Sequence, residues 1–186
     1  EVELEFIPKN YPELTGDKSA MDAIIRFEDE QGKGGFIAVE TKYSENLGTN
    51  VAYDRDENGK KIPRAKSIEA VKKLQCFTPD VEKSIMRGNT PLTQIYRNFL
   101  LSEMYGFEEG LLSYSIILAP RRHPSTKREL ESLTNGLREE YKNNKNKKIN
   151  LEDFVNAIID YSPDAYRVVF ERFYDRYLNF GKLDKY

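Results

Sequence analysis

The sequence predicts an α/β domain with a central mixed β-sheet flanked by helices, followed by a helical C-terminal part. Two apolar runs, residues 21–27 and 35–42, meet across a polar, glycine-rich segment, which is typical of a β-hairpin. A third apolar run, residues 111–119, is short enough and apolar enough for a buried strand. Beyond Pro120 the apolar residues recur every three or four positions, which predicts helices.

The remaining elements follow from local signals. Residues 2–7 alternate polar and apolar side chains and predict a strand ahead of the hairpin. Residues 43–66 are polar and predict a long excursion or lid. We predict helices over residues 67–77, 78–88 and 90–106, of which the last two begin at Thr-Pro pairs that suit a helix start.

The C-terminal third, residues 121–186, is predicted to be a helical extension packed on the core. Its three apolar faces are Leu130, Leu133, Leu137 and Tyr141; Leu151, Phe154, Val155, Ile158 and Ile159; and Tyr166, Val169, Phe170, Phe173 and Tyr177. We expect all three faces to be core that covers the sheet, and the polar residues 142–148 to form a mobile loop. Since no repeat or linker divides the chain, residues 1–186 are predicted to be one domain.

Ionisable residues occupy strand positions where apolar ones are expected. The first strand of the hairpin opens with Asp22, and the second ends in Glu40, Thr41 and Lys42. Glu40 and Lys42 share a face because strand side chains alternate, and Asp22 lies opposite Glu40 in one register and Lys42 in the other. A salt-bridged strand edge gives the same pattern. However, both strands are apolar on both faces, and such a charge cluster is costly unless it binds something, for example a divalent cation.

An Asp on one strand followed by Glu-x-Lys on the next resembles the PD-(D/E)XK nuclease superfamily, most of all its restriction-endonuclease-like branch. The resemblance implies an α-β-β-β-α-β core and a Mg²⁺ cofactor, for which Mn²⁺ substitutes. It further implies that Asp22 and Glu40 bind the metal, that Thr41 adds its backbone carbonyl, and that Lys42 positions or activates the attacking water. Met21 stands where the superfamily pattern has Pro.

The first helix of that core is expected to be missing, since the chain starts at Glu1 without a Met. That helix often bears a Glu that completes the site. Glu13, between the first strand and the hairpin, is a candidate substitute, although a loop carboxylate is more often plain surface.

The helix predicted over residues 90–106 carries a polar stripe. Gln94, Arg97 and Asn98 have i, i+3, i+4 spacing opposite the apolar face. A solvated helix face has the same pattern. In nucleases of this superfamily the helix after the metal-binding strands often presents a Gln and other polar groups to the active site or the DNA backbone. The resemblance therefore assigns Gln94 to the catalytic site and Arg97 and Asn98 to nucleic-acid contacts.

Composition limits the partners. The 186 residues carry a formal net charge of −2, so the protein lacks the broad basic field of a strong DNA binder. Attraction to phosphates must be local, and Lys66, Arg121 and Arg122 are candidate nucleic-acid contacts. No apolar run is long enough for a transmembrane span. The single Cys76 excludes an internal disulfide, which indicates a cytoplasmic protein.

The predicted function is a metal-dependent nuclease that hydrolyses phosphodiester bonds in DNA, as an endonuclease of restriction or defence type. Two alternatives remain open at this stage. One is a catalytically inactive nuclease-like domain that binds nucleic acid or a protein partner, and the other is a Holliday-junction resolvase. Many nucleases of this kind cut both strands as homodimers, but no interface can be read from the sequence.

Overall fold

The fold is given by a computed structural model that describes residues 1–45, 51, 53–142 and 145–185. The strands are β1 (Val2–Phe6), β2 (Met21–Glu28), β3 (Gly34–Thr41), β4 (Asp54–Arg55), β5 (Lys61–Ile62), β6 (Leu112–Ala119) and β7 (Asn146–Asn150). The helices are α1 (Tyr11–Leu14), α2 (Ala65–Leu74), α3 (Pro79–Met86), α4 (Gln94–Glu109), α5 (Thr126–Gly136), α6 (Glu139–Lys142), α7 (Leu151–Tyr161) and α8 (Asp164–Tyr177), followed by a 3₁₀ helix (Phe180–Lys185).

Five strands form one mixed sheet in the order β1-β2-β3-β6-β7, and β4 pairs with β5 in a separate small hairpin. The predicted α/β architecture, the β2–β3 hairpin and the strand after the central helices are confirmed. The small hairpin lies within the excursion predicted over residues 43–66, of which residues 46–50 and 52 lie outside the described part of the chain.

The register of the sheet brings two predicted site residues to one edge. In the antiparallel β2–β3 pair Ala23 lies opposite Val39, and continuing this register by one residue sets Asp22 opposite Glu40. Strands β3, β6 and β7 run parallel, with Thr41 beside Leu118. The carboxyl ends of the parallel strands therefore meet the amino end of β2 at one edge, where ligands of open α/β sheets commonly bind.

Helix α4 covers one face of the sheet. It lies further toward the C-terminus than the helix predicted over residues 90–106. It begins at Gln94, after the extended Thr93, and ends at Glu109, where Gly110 caps it with a left-handed φ of 67°. Gly106, predicted as the end, lies inside the helix. A Cβ there would come within 2.9 Å of the Cβ of Ser113, so the glycine allows close packing of α4 on β6.

Two predictions for the C-terminal part are wrong in detail. The helix predicted through Leu130 and Tyr141 is divided, because α5 ends at Gly136 and Leu137 then forms a β-bridge with Phe77. A mobile loop was predicted over residues 142–148. Instead Lys142 ends α6 and residues 146–148 belong to strand β7, while residues 143–144 lie outside the described part of the chain. An edge strand needs only one hydrogen-bonded neighbour and tolerates polar side chains, so its sequence resembles a loop.

The aromatic face of α8 was predicted to be core, and this prediction is wrong for most of it. No residue of α8 is buried, and Tyr166 and Val169 are each more than half exposed. Only Phe170 and Tyr174 pack into a small second apolar cluster around Leu118. The physical reason is that α8 packs on α7 instead of lying across the sheet. None of the described helices is both long and apolar enough to cross a membrane.

Candidate active site

Three polar side chains converge on the carboxylate of Glu40, which is only 7% exposed. Its Oε1 accepts hydrogen bonds from Nζ of Lys42 and Nε2 of Gln94, each at 2.7 Å. Its Oε2 accepts a hydrogen bond from Nδ2 of Asn98 at 2.8 Å. A buried charge is costly unless it is paired and hydrogen-bonded, and these donors supply both requirements.

Two elements bring these groups together. Glu40 is the penultimate residue of β3, and the N–H of Lys42 continues the ladder by donating to the carbonyl of Leu118 at 2.9 Å. The extended path keeps Glu40 and Lys42 on one face, as predicted. Gln94 and Asn98 are one turn apart at the start of α4, so both side chains extend from the same side of the helix toward Glu40.

Asp22 approaches the same edge but makes a different contact. Its Oδ2 accepts the backbone N–H of Thr41 at 2.6 Å. The exposed Asp22 shares a shallow surface concavity with Leu4, Glu5 and Thr41. It therefore lies beside the backbone of the Glu-Thr-Lys segment, and no hydrogen bond among the described residues joins it directly to the carboxylate of Glu40.

Burial raises the pKa of Glu40 above its ordinary value, because the charged carboxylate loses hydration. The hydrogen bonds from Lys42 and Asn98 lower this pKa, and the negative charge of Asp22 raises it. The charge of Asp22 therefore acts on Glu40 although no hydrogen bond among the described residues joins the two side chains, and a cation bound nearby would favour the ionised form of Glu40.

The third member of the predicted polar stripe has another partner. Arg97 is 9% exposed, and its Nη1 donates to Oδ2 of the buried Asp17 at 2.6 Å. Arg64 lies on the other side of the same carboxylate, 3.7 Å from Oδ1. The stripe is therefore not a solvated helix face, since Gln94 and Asn98 contact Glu40 while Arg97 anchors the segment that leads into β2.

A model of the PD-(D/E)XK nuclease superfamily matches residues 1–179 of the chain. The chain belongs to this superfamily. No curated protein and no solved structure matches the chain. The resemblance noted from the hairpin is thereby confirmed, and the mixed sheet flanked by helices agrees with a PD-(D/E)XK α/β fold. Membership supports a nuclease, implies a nucleic-acid substrate, and fits a superfamily that typically uses divalent metals.

The predicted phosphate contacts lie in different places. Arg121 and Arg122 are exposed just past the end of β6, at the same sheet edge as Glu40. Arg121 pairs with Asp153 at 2.5 Å. Lys66 is exposed on α2 and forms a 2.7 Å ion pair with Glu69 on the same helix. Exposed ion pairs of this kind are weak, so the pairs of Arg121 and Lys66 can exchange for other partners.

The oxygen ligands at the sheet edge that holds Glu40 are compatible with the divalent metal that the superfamily implies. Asp22 and Glu40 supply carboxylate oxygens, and Oε2 of Glu40 accepts a single hydrogen bond, which leaves one lone pair unengaged. The described residues contain no group of three or more His, Cys, Asp or Glu side chains that could hold a metal. Mg²⁺ is suited to a set of two acids because it retains several waters.

Sequence reasoning missed two neighbours of this edge. Glu5 lies in the concavity beside Asp22 with a left-handed φ of 52°, an uncommon conformation for a residue other than glycine. The alternation of β1 gave no sign of this left-handed conformation. His123 is buried, and its Nε2 lies 3.0 Å from the carbonyl of Glu45, so it links the turn after β6 to the segment after Lys42. Glu13 is exposed on α1, and its approach to the site stays a prediction.

Proposed function

We propose that the protein is a Mg²⁺-dependent endonuclease that hydrolyses phosphodiester bonds in DNA, with a restriction or defence role. The observation that carries this proposal is the buried carboxylate of Glu40, held at the sheet edge by Lys42, Gln94 and Asn98. Asp22 lies opposite it across the hairpin. A charge cluster at the end of central strands is difficult to explain as a stabilising feature, because its desolvation opposes folding.

In this proposal Asp22 and Glu40 hold the metal, together with the backbone carbonyl of Thr41. The bound ion would supply charge stabilisation on a phosphate oxygen and lower the pKa of a water. The side chain of Lys42 is 13% exposed, so it is largely removed from solvent while its ammonium contacts Glu40. It positions the attacking water and offsets the negative charge gathered by the two acids and the phosphate.

Gln94 and Asn98 act through Glu40. Each donates to a different carboxylate oxygen, so together they fix the rotation of the carboxylate plane. An acid held in one orientation loses little freedom when it takes up a ligand, which is how pre-organisation raises affinity. We assign Gln94 to the active site on this basis and treat Asn98 as a positioning residue there.

One observation favours a second candidate, a nuclease-like domain that binds nucleic acid without cutting it. Lys42 is paired with Glu40, and Asp22 is bonded to a backbone N–H, so both groups already have partners without an ion. Calorimetric titration with Mn²⁺ separates the two candidates. The nuclease should bind Mn²⁺ and lose this binding on Asp22→Ala, whereas the binding-only domain should show no metal binding in either form.

Lys42→Ala is expected to abolish Mg²⁺-dependent cleavage of duplex DNA while leaving the fold intact, because Gln94 and Asn98 still satisfy Glu40. Plasmid nicking and linearisation measure the activity, and thermal unfolding measures the fold. Lys33→Ala is the matched control, since Lys33 is an exposed lysine in the turn at the other end of the same hairpin. Substantial residual cleavage by Lys42→Ala, at the rate of the control, would refute the role of Lys42.

A further inference from the structure

The small hairpin formed by β4 and β5 is ordered by its own contacts despite its short strands. Asp56 Oδ1 accepts the backbone N–H groups of Asn58 and Lys60, at 3.0 and 2.8 Å, and thereby shapes the turn. Nη1 of Arg55 donates to the carbonyl of Gly59 at 2.7 Å. The positive φ of Gly59, 75°, suits this tight turn.

Two cations of the hairpin lie against one aromatic ring. The guanidinium carbon of Arg55 is 5.5 Å from the ring centroid of Tyr53, and Nζ of Lys61 is 4.2 Å from it. Cation–π contacts at exposed sites contribute roughly 0.5–1 kcal/mol each, which is enough to favour particular side-chain positions. Tyr53 therefore holds two positive charges close together, although Arg and Lys side chains are flexible in general.

Two acids of the hairpin accept backbone hydrogen bonds, whereas these two cations contact a carbonyl and an aromatic ring. Asp54 and Asp56 accept hydrogen bonds from backbone N–H groups of α2 and of the turn. Among the described residues no carboxylate lies within ion-pair distance of Arg55 or Lys61, both of which are exposed. Arg55 and Lys61 thus form a local pair of positive charges, while over residues 54–62 the three acids Asp54, Asp56 and Glu57 balance the three bases Arg55, Lys60 and Lys61.

The hairpin lies close to the segment that leads into the helix bearing Gln94 and Asn98. Arg64, just after β5, lies 3.7 Å from Asp17, and the other oxygen of Asp17 binds Arg97 on α4. Tyr53 also lines a surface concavity with residues 90–92, which lead directly into α4. The paired cations therefore lie near the end of α4 from which the polar contacts with the sheet edge begin.

We propose that Arg55 and Lys61 bind backbone phosphates of the nucleic acid beside the scissile site, and that Tyr53 positions both cations for these contacts. This inference rests on the proposed function and deepens it, because it names the element that holds the substrate. Two phosphates on one strand would neutralise the pair, and a substrate too short to reach the hairpin would bind weakly.

The test measures binding of a duplex oligonucleotide without divalent ions, at several salt concentrations, and then cleavage with Mg²⁺. Removing both charges in Arg55→Ala/Lys61→Ala should lower the slope of log affinity against log salt by about 0.9 per lost contact. At 0.1 M salt this corresponds to roughly tenfold weaker binding per contact. KM should rise accordingly while kcat stays close to that of the parent protein, since the chemistry is untouched.

Two further variants distinguish the contribution of the two positive charges from that of the Tyr53 ring. Tyr53→Ala should weaken binding although it removes no charge, and Tyr53→Phe should bind as the parent does because it keeps the ring. Lys33→Ala, which removes an exposed charge at the far end of the β2–β3 hairpin, should change neither slope nor KM. An unchanged slope and KM in the Arg55/Lys61 double variant would overturn the inference.

Failure of the proposed function is recognised separately. If the parent protein binds DNA and does not cut it, the nuclease proposal fails, while the salt slopes of the variants still decide the role of the hairpin. If the parent protein neither binds nor cuts DNA, both are overturned. If the parent protein cuts DNA and the variants bind as it does, only the role assigned to Arg55 and Lys61 is wrong.

Discussion

Arg97→Ala tests whether this arginine stabilises the fold or contacts nucleic acid, the role that the superfamily resemblance assigned to it. Arg97 is 9% exposed, and its guanidinium donates a hydrogen bond to the buried Asp17 at 2.6 Å. Breaking a buried ion pair by removing one partner costs about 3–5 kcal/mol, because the other charge is left desolvated. The variant should therefore unfold more easily than the parent protein.

Removing Arg97 and removing Asp17 should lower the free energy of unfolding by different amounts. After Arg97→Ala, Asp17 keeps Arg64 at 3.7 Å, so the loss should lie near the lower figure, about 3 kcal/mol. After Asp17→Ala, Arg97 has no carboxylate partner within the described residues, and its Nε already lacks a hydrogen-bond partner. This loss should approach about 5 kcal/mol. For a chain of this length, 3 kcal/mol lowers Tm by about 6–12 °C.

Urea unfolding followed by circular dichroism measures the two variants and the double variant, with exposed Arg87→Ala as the control. The double variant should lose less than the sum of the single losses, because the two residues interact. DNA affinity is then measured under conditions where the variants are native. If Arg97→Ala unfolds like the control and loses DNA affinity, the structural role is wrong and Arg97 is a nucleic-acid contact.

Two further outcomes are expected. Asn98→Ala removes a hydrogen bond that lowers the pKa of Glu40, so this pKa should rise further above its ordinary value. The acid limb of a pH profile of kcat/KM should then move to higher pH, and an unmoved limb would contradict a role for ionised Glu40. Lys145→Met removes the ammonium 3.3 Å from the buried Glu103, whose pKa is raised chiefly by burial. Without the cation this pKa rises further, so the loss of stability, about 1–3 kcal/mol, should be largest at pH 8 and shrink as Glu103 is protonated on acidification. Urea unfolding across pH measures this change, and a loss independent of pH would contradict it.

Local periodicity predicted much of the candidate site. Glu40 and Lys42 share a face because side chains alternate along any strand, and Gln94 and Asn98 share a side because four residues make about one helical turn. The hairpin register that sets Asp22 opposite Glu40 depends on a short turn, so it was one of two registers weighed from the sequence. Whether these residues hold a metal and cut DNA stays a prediction.

Local sequence patterns could not predict the contact partners of several residues. Arg97 meets Asp17 from 80 positions away, and the sequence contains many other acids that could have paired with it. Strand β7 looks polar enough for a loop, and only its parallel pairing with β6 makes it a strand. The aromatic face of α8 has the spacing of a core helix, yet its burial depends on whether another element covers it.

The sequence by itself determined the α/β class, the hairpin with its Asp and Glu-x-Lys residues, and the superfamily to which the chain belongs. These features depend on contacts between residues close in the chain, whose geometry follows from strand and helix repeats. The tertiary structure alone decided that Gln94 and Asn98 bind Glu40, that Arg97 faces Asp17, and that the small β4–β5 hairpin lies near the start of α4. Those contacts join distant segments, and their selection depends on how the packed elements fill space together, which no local pattern encodes.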